Sequence, residues 1–301
     1  MRVKQIIIQK PADLATSLAN LKNVAADLLL VFGSVEHFTF PGLRELLQGH
    51  FPDAMLLGCS TAGEISADGV DDGTCTITAI KFEQTQLIQG AHNQVVAVGL
   101  SGEGLRFGHG SFGGWEPFGP ARKVTRCDGN ILHELDGEPA LEIYRRYLGE
   151  HAKGLPASGL LFPFAMLGED HSAVGLIRTI LGIDEASGSL ILAGEIDPEG
   201  YLRLMHASTD KLVSGAESAA EAASIMAEGA EHSLAILVSC VGRKLVMGDR
   251  VDEEVEAVGE VFGKSGILTG FYSYGEISPF APGASCKLHN QTMTITCLSE
   301  T

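Results

Sequence analysis

Short apolar runs bounded by turn residues recur along this chain in a fixed order. Residues 27–34 (DLLLVFGS) form an apolar run ending in Gly-Ser, the pattern of a strand buried on both faces. Phe40, Leu43, Leu46 and Leu47 then share one helical face, Pro52 limits that helix, and Ala54 to Leu57 is a second strand. Near the C-terminus the order returns. LAILVS (234–239) is a strand, Val251, Val255, Val258 and Phe262 mark one face of a helix over 251–263, and GILTG (266–270) is the next strand. Each copy ends in a strand of alternating Thr, CTITAIKF (75–82) and MTITCLSE (293–300).

Between the copies, 95–100 and 105–110 read as a hairpin, and 124–135 as another with Asp-Gly at its turn. Asp136 is placed to cap a helix over 138–149 that Gly149 stops. Residues 189–196 and 201–208 read as a third hairpin across Asp197–Gly200, and 208–228 as a long helix. The fold class expected is α/β, with two related regions of mixed β-sheets flanked by helices. The duplicated unit is strand, helix, strand, GxxxxGEIS, strand.

The repeat is sharpest in two loops, GCSTAGEIS (58–66) and GFYSYGEIS (270–278), identical at five of nine positions. Two copies about a pseudo-two-fold axis would face these loops across a shared groove. Glu64 and Glu276 then have two readings: each accepts the N–H groups of its own turn, or one or both reach the groove to hold a ligand amine or act as a base. An acid–base dyad is a third. Between the shared glycines the copies diverge: Cys59, Ser60 and Thr61 are small, whereas Phe271, Tyr272 and Tyr274 are aromatic. The divergent positions are the better candidates for specificity, against the plainer reading that the tyrosines only pack. LHNQTMT (288–294) adds His289 and Asn290, and alternation sends His289 and Gln291 to one face. Those ten residues, Cys59, Ser60, Thr61, Glu64, Phe271, Tyr272, Tyr274, Glu276, His289 and Asn290, form the expected ligand site.

Composition narrows the function. The 301 residues are 45% hydrophobic and 20% charged, an ordinary globular balance, and the formal charge of −17 disfavours nucleic-acid and anionic-membrane partners. The start, MRVKQIIIQKPADL, has too short an apolar run for a leader or a span, so a cytoplasmic location is expected. Six scattered cysteines lack CxxC spacing and read as buried thiols; Cys59 as a nucleophile has no identifiable base. The ten histidines show no HxxxH grouping, while a haem needs one axial ligand, for which His109, His206 and His289 are the candidates. No Walker or dinucleotide fingerprint is present.

VFGS followed by GCSTAGEIS, then GHGSFGGWEPFGP, DGEPALEIYRRYLG, TILGIDEASGSLILAGEI, GFYSYGEISPF and LHNQTMTIT resemble the FIST family (F-box and intracellular signal transduction) over nearly the whole chain. The resemblance implies an N-terminal region over 1–120 and a C-terminal region over 121–301. It also implies a sensory, non-catalytic role for small ligands: amino acids in the family at large, haem with nitric oxide in one bacterial subgroup. Histidine kinases or cyclic-di-nucleotide enzymes are the implied partners. In this chain IKFEQTQLIQGAHN joins the first GEIS strand to VVAVGL directly, where the family has a longer stretch, so a shortened N-terminal region and a more open groove are expected.

Overall fold

The computed structural model describes residues 1–92, 95–225, 233–279 and 285–301. The N-terminal part forms β1 (Arg2–Ile8), β2 (Leu28–Gly33), β3 (Met55–Ser60), β4 (Glu64–Ser66), β5 (Gly69–Asp71) and β6 (Cys75–Lys81), of which β2, β4 and β6 are buried along almost their whole length, with helices α1 (Leu14–Leu18), α2 (Val35–Thr39) and α3 (Leu43–His50) between them. The helix expected after β2 is therefore two helices. Pro41 and Gly42, the latter at φ 88°, break it where the apolar spacing runs on. The sheet order is β1-β6-β2-β3, with only β2 and β3 parallel.

Next come β7 (Gln86–His92), β8 (Val95–Ser101) and β9 (Leu105–Phe112). The expected 95–110 hairpin does not form. Residues 95–101 fold back on β7, and β9 leaves for a distant strand, because its glycines suit it to packing under a helix. A second sheet is built from β10 (Glu116–Asp128), β11 (Ile131–Leu135), β12 (Glu138–Pro139), β13 (Phe164–Leu167), β14 (Ala173–Arg178), β15 (Ile180–Asp184), β16 (Ser189–Leu192) and β17 (Tyr201–His206), with α4 (Ala140–Leu148) packed on it. Its order is β14-β13-β17-β10-β11-β16-β15.

The Asp-Gly hairpin of β10 and β11 is as expected, but the one across Asp197–Gly200 is not. β16 pairs with β11 and β15, while the long β10 and β13 take β17 between them. Asp136 does not cap α4 either. It sits at φ 51° and accepts hydrogen bonds from Lys123 N (2.9 Å) and Arg122 Nη1 (3.0 Å), leaving Pro139 at the helix start.

The second copy follows: α5 (Thr209–Ile225), β18 (Ser233–Cys240), α6 (Val241–Met247), α7 (Asp252–Phe262), β19 (Gly266–Ser273), β20 (Glu276–Ser278), β21 (Lys287–His289) and β22 (Met293–Glu300). Residues 226–228 of the expected long helix lie outside the described residues. The third sheet runs β5-β4-β19-β18-β22-β9. Its β9-β22-β18-β19 part repeats β1-β6-β2-β3, parallel central pair included.

Period-two alternation splits each strand between two cores. Leu28, Leu30 and Phe32 meet Leu234, Ile236 and Phe271 between the two repeat sheets. Leu29 and Val31 face α1 and α3, whereas Ala235 and Leu237 face α5 and α7. The repeat is thus four layers, helix, sheet, sheet, helix. Alanines let α5 lie close: a Cβ at Gly108 or Gly110 of β9 would collide with the carbonyl of Ala223 or Ala219. Among the described residues, no helix is long and apolar enough to cross a membrane.

Candidate functional site

The two GEIS turns are built alike. Glu64 accepts from the Thr61 hydroxyl three residues before it, and from Thr74 N and Oγ1, both at 3.0 Å. Glu276 accepts from Ser273 Oγ, again three residues before it, at 2.6 Å, and from Thr292 Oγ1 at 2.9 Å. Thr74 and Thr292 both precede the returning Thr-rich strand, so each carboxylate ties the turn to that strand. Burial is the main influence on Glu276, pushing its carboxyl up to about 7 against the hydrogen bonds of Ser273 and Thr292 and the nearby Arg243 charge.

The loops meet by backbone pairing rather than across an open groove. β4 lies antiparallel on β19 with Ile65 opposite Gly270, and the ladder continues through Tyr272 N to Gly63 O (2.9 Å) and Ala62 N to Tyr272 O (3.0 Å). Several expected site residues are packing residues here. Phe271 packs against Phe32, ring centres 4.7 Å apart and planes tilted by 43°, between the sheets; Cys59 lies half-buried in that same cluster, and burial raises its thiol pKa, the opposite of an activated thiolate. Tyr272 is fully buried and donates to Glu254 (2.6 Å), which also accepts from Ser239 (3.0 Å) and pairs with Arg243 (2.8 Å). Ser60 is exposed at the end of β3, and Tyr274 is 82% exposed. Of the other cysteines, Cys75, Cys240 and Cys297 are buried, Cys127 is half-buried and Cys286 is exposed.

His289 and Asn290 lie elsewhere, beside Glu276. The expected strand alternation fails at Gln291, which adopts φ 62°, so 290–292 is a buried turn between β21 and β22. His289 Nε2 sits 3.0 Å from Ser278 O, a pure acceptor, so Nε2 carries the proton and Nδ1 is left as an acceptor. Burial lowers the His289 pKa and keeps the ring neutral. Nδ1 has no partner among the described residues, nor do Asn290 Oδ1 and Gln291 Oε1. The turn itself is held firmly: Trp115 Nε1 donates to Gln291 O (2.9 Å), Gln291 Nε2 to Leu160 O (3.0 Å), and Arg178 Nη1 to Leu288 O (3.0 Å). Gly242 faces the Gln291 amide, and a Cβ there would collide with it.

A cleft of about 290 Å³ opens onto this turn. His289, Thr292 and Ser111 give it a polar side, and Phe112, Trp115, Leu176 and Met205 an apolar one. Of the ten expected site residues only His289 lines it; Glu276 lies behind Thr292, and Cys59, Ser60, Thr61, Glu64, Phe271, Tyr272, Tyr274 and Asn290 are outside its lining. Sequence reasoning missed Thr292, Trp115 and Arg178. Only the Gly-rich GHGSFGGW stretch signalled that backbone comes close to something here.

The histidines do not suit a haem. His109 and His289 each direct Nε2 at a backbone carbonyl, Pro279 O at 3.3 Å and Ser278 O at 3.0 Å, and His206 stands edge-on to Phe118 at 5.7 Å. The cleft at His289 is at the lower limit for small-molecule sites, and none of the three histidines lines the larger grooves of about 910 and 750 Å³. Among the described residues no group of three or more His, Cys, Asp or Glu is arranged to hold a metal ion.

Comparison with known proteins finds two domain models in order along the chain. Residues 140–279 match the FIST C domain, and residues 27–93 and 84–138 match the FIST N domain in two pieces that meet in the β7–β8 hairpin. The "Uncharacterized protein Mb0898c" of Mycobacterium bovis is 29% identical over 257 residues, covering 81% of this chain and 61% of that protein. The "Uncharacterized protein Rv0628c" of Mycobacterium tuberculosis is 29% identical over 183 residues, 56% of this chain and 45% of that protein. The chain thus spans about three fifths or less of the length of these curated relatives. FIST domains are associated with signal-transduction sensing rather than catalysis, and on these matches the chain belongs to the FIST family.

Proposed function

We propose that this chain senses a small polar metabolite of amino-acid size, held in the cleft at His289 and Thr292, and reports its occupancy to a separate signalling protein. The observation that carries the reading is His289 Nδ1, a buried acceptor with no partner among the described residues, on a residue that lines the cleft; Asn290 Oδ1 and Gln291 Oε1 are unpartnered in the same turn but lie outside the lining. Native proteins rarely leave such atoms unsatisfied, and acceptors are satisfied by a donor, as an amine or ammonium group would be. The apolar side of the cleft suits the remainder of such a molecule, as small-ligand sites combine apolar walls with a few polar groups. The Thr292 hydroxyl links the cleft to Glu276, and Thr292 O accepts from Cys240 N at the start of α6, so a ligand has a route into the repeat core. A histidine kinase or cyclic-di-nucleotide enzyme is the partner class the family suggests.

A thermal-shift screen over the protein amino acids and related amines tests this. A true ligand raises Tm progressively with its concentration. Ala173 is exposed and lines the cleft, so Ala173→Trp fills the space without entering the core and should abolish the shift. Stabilisation unchanged by Ala173→Trp would move the ligand elsewhere. Consumption of the compound that disappears in Glu276→Gln would replace sensing with catalysis.

A further inference from the structure

The two repeat sheets differ at one edge. β4 covers the outer edge of β19, whereas the equivalent edge, β3, carries no strand among the described residues. The two edges match at two positions. Gly58 and Gly270 are equivalent, and a Cβ on either would collide with the carbonyl of the parallel neighbour, Val31 or Leu237. Leu56 and Leu268 are equivalent as well, and the carbonyl of each accepts a glutamine amide, from Gln89 at 2.6 Å and Gln5 at 2.9 Å.

Alternate residues of a strand turn their N–H and C=O groups to opposite edges, so Leu56, Gly58 and Ser60 present theirs outward. At the matching positions of β19, Gly270 and Tyr272 are paired with the β4 segment. On β3 the Gly58 and Ser60 groups have no backbone partner among the described residues. A groove of about 750 Å³ runs along this edge between α3 and the β7–β8 hairpin, with Phe40, Leu43 and Leu56 on one side and Val96 on the other. The hairpin further exposes Ile88 (72%) and Val95 (68%) next to it.

We infer that β3 is a docking edge for an extended segment of a partner protein, added antiparallel and hydrogen-bonded to Gly58 and Ser60. The molecule contains its own template: Ile65 of β4 lies fully buried opposite Gly270, so the incoming segment places an apolar residue opposite Gly58. The chain's own equivalent of β4 is not available, because β20 is paired with β21 and anchored through Glu276. Walls on both sides of the slot suit a single strand, and the net charge of −17 favours a neutral or basic segment.

Random ten-residue peptides displayed on phage, selected on the wild-type protein and counter-selected on Ser60→Pro, test the inference. Ser60 is exposed and its N–H points outward, so proline removes one docking donor while the edge strand tolerates it. Equal circular dichroism and Tm for the two proteins check that tolerance, and Leu43→Glu, which blocks the groove wall, serves as the second variant. Selected peptides should alternate apolar residues, slow amide hydrogen exchange at Gly58 and Ser60 at least tenfold, and bind both variants at least tenfold more weakly. Failure to enrich any peptide, or peptides that leave these two amides unchanged, overturns the inference. Protection of the same amides in the protein alone, with a dimer mass in light scattering, would also overturn it by making a second copy the occupant.

Discussion

Glu64 and Glu276 occupy equivalent turns, yet their surroundings differ. Glu64 accepts three hydrogen bonds, and its strand is flanked by β5 on one side and β19 on the other. Glu276 accepts from two hydroxyls, burial drives its pKa up to about 7, and among the described residues its strand pairs with β21 alone, next to the buried turn and the cleft. The residues the copies share make the turn. What each copy is packed against decides whether that turn is closed structure or lies beside a cleft.

The comparison breaks most visibly at the anchor that only the second copy has. Arg243 and Glu254 are a fully buried ion pair under Tyr272, so Arg243→Ala leaves the Glu254 charge uncompensated and should cost about 3–5 kcal/mol in urea denaturation. A loss below about 1 kcal/mol would mean that the anchor contributes little.

Next in size is the pH response of Glu276. Its folded pKa lies above the ordinary carboxylate value, so the folded chain retains a proton that the unfolded chain releases. That stabilisation is complete below about pH 4.5 and is lost as pH rises through 7, up to about 3 kcal/mol in all. Denaturation at pH 5 and pH 8 should show this fall, and Glu276→Gln should flatten it; an unaltered slope in the variant assigns the effect to another group.

Glu64→Ala removes the carboxylate shared by Thr61 and Thr74 and should cost about 2 kcal/mol. Glu64→Gln, which keeps one acceptor, should recover part of that in the same assay. Smallest is the effect at the tyrosines: Tyr272→Phe should cost about 1–2 kcal/mol through its lost bond to Glu254. Tyr274→Ala, at an exposed side chain, should stay within about 0.5 kcal/mol. Equal losses at the two tyrosines would erase the distinction between them.

The duplicated strands were legible because local alternation and a constant offset between copies encode them. Pairing was less legible, because β9 chooses β22 nearly two hundred residues away, and nothing in LRFGHGSF names that partner. α6 escapes the sequence pattern because VGRKLVM makes only about two turns, and its Arg243 is buried against Glu254, which the pattern does not show. In the site, Glu276 and His289 stood out as residues, but their relation depends on Gln291 adopting a left-handed backbone, which no pattern of side chains announces. The divergent loop residues drew attention by their chemistry; burial of Cys59, Phe271 and Tyr272 between sheets and under α7 is a property of packing that one sequence does not display.

The cleft beside the 289–292 turn is the proposed seat of the sensed molecule. Methyl and side-chain nuclear magnetic resonance during titration with the most stabilising compound of the thermal-shift screen tests it most directly. Saturable shifts at Met205, Thr292 and His289 Nδ1, absent in Ala173→Trp, are the result this account predicts. Shifts confined to residues outside the cleft, with those three unmoved at saturation, would contradict it.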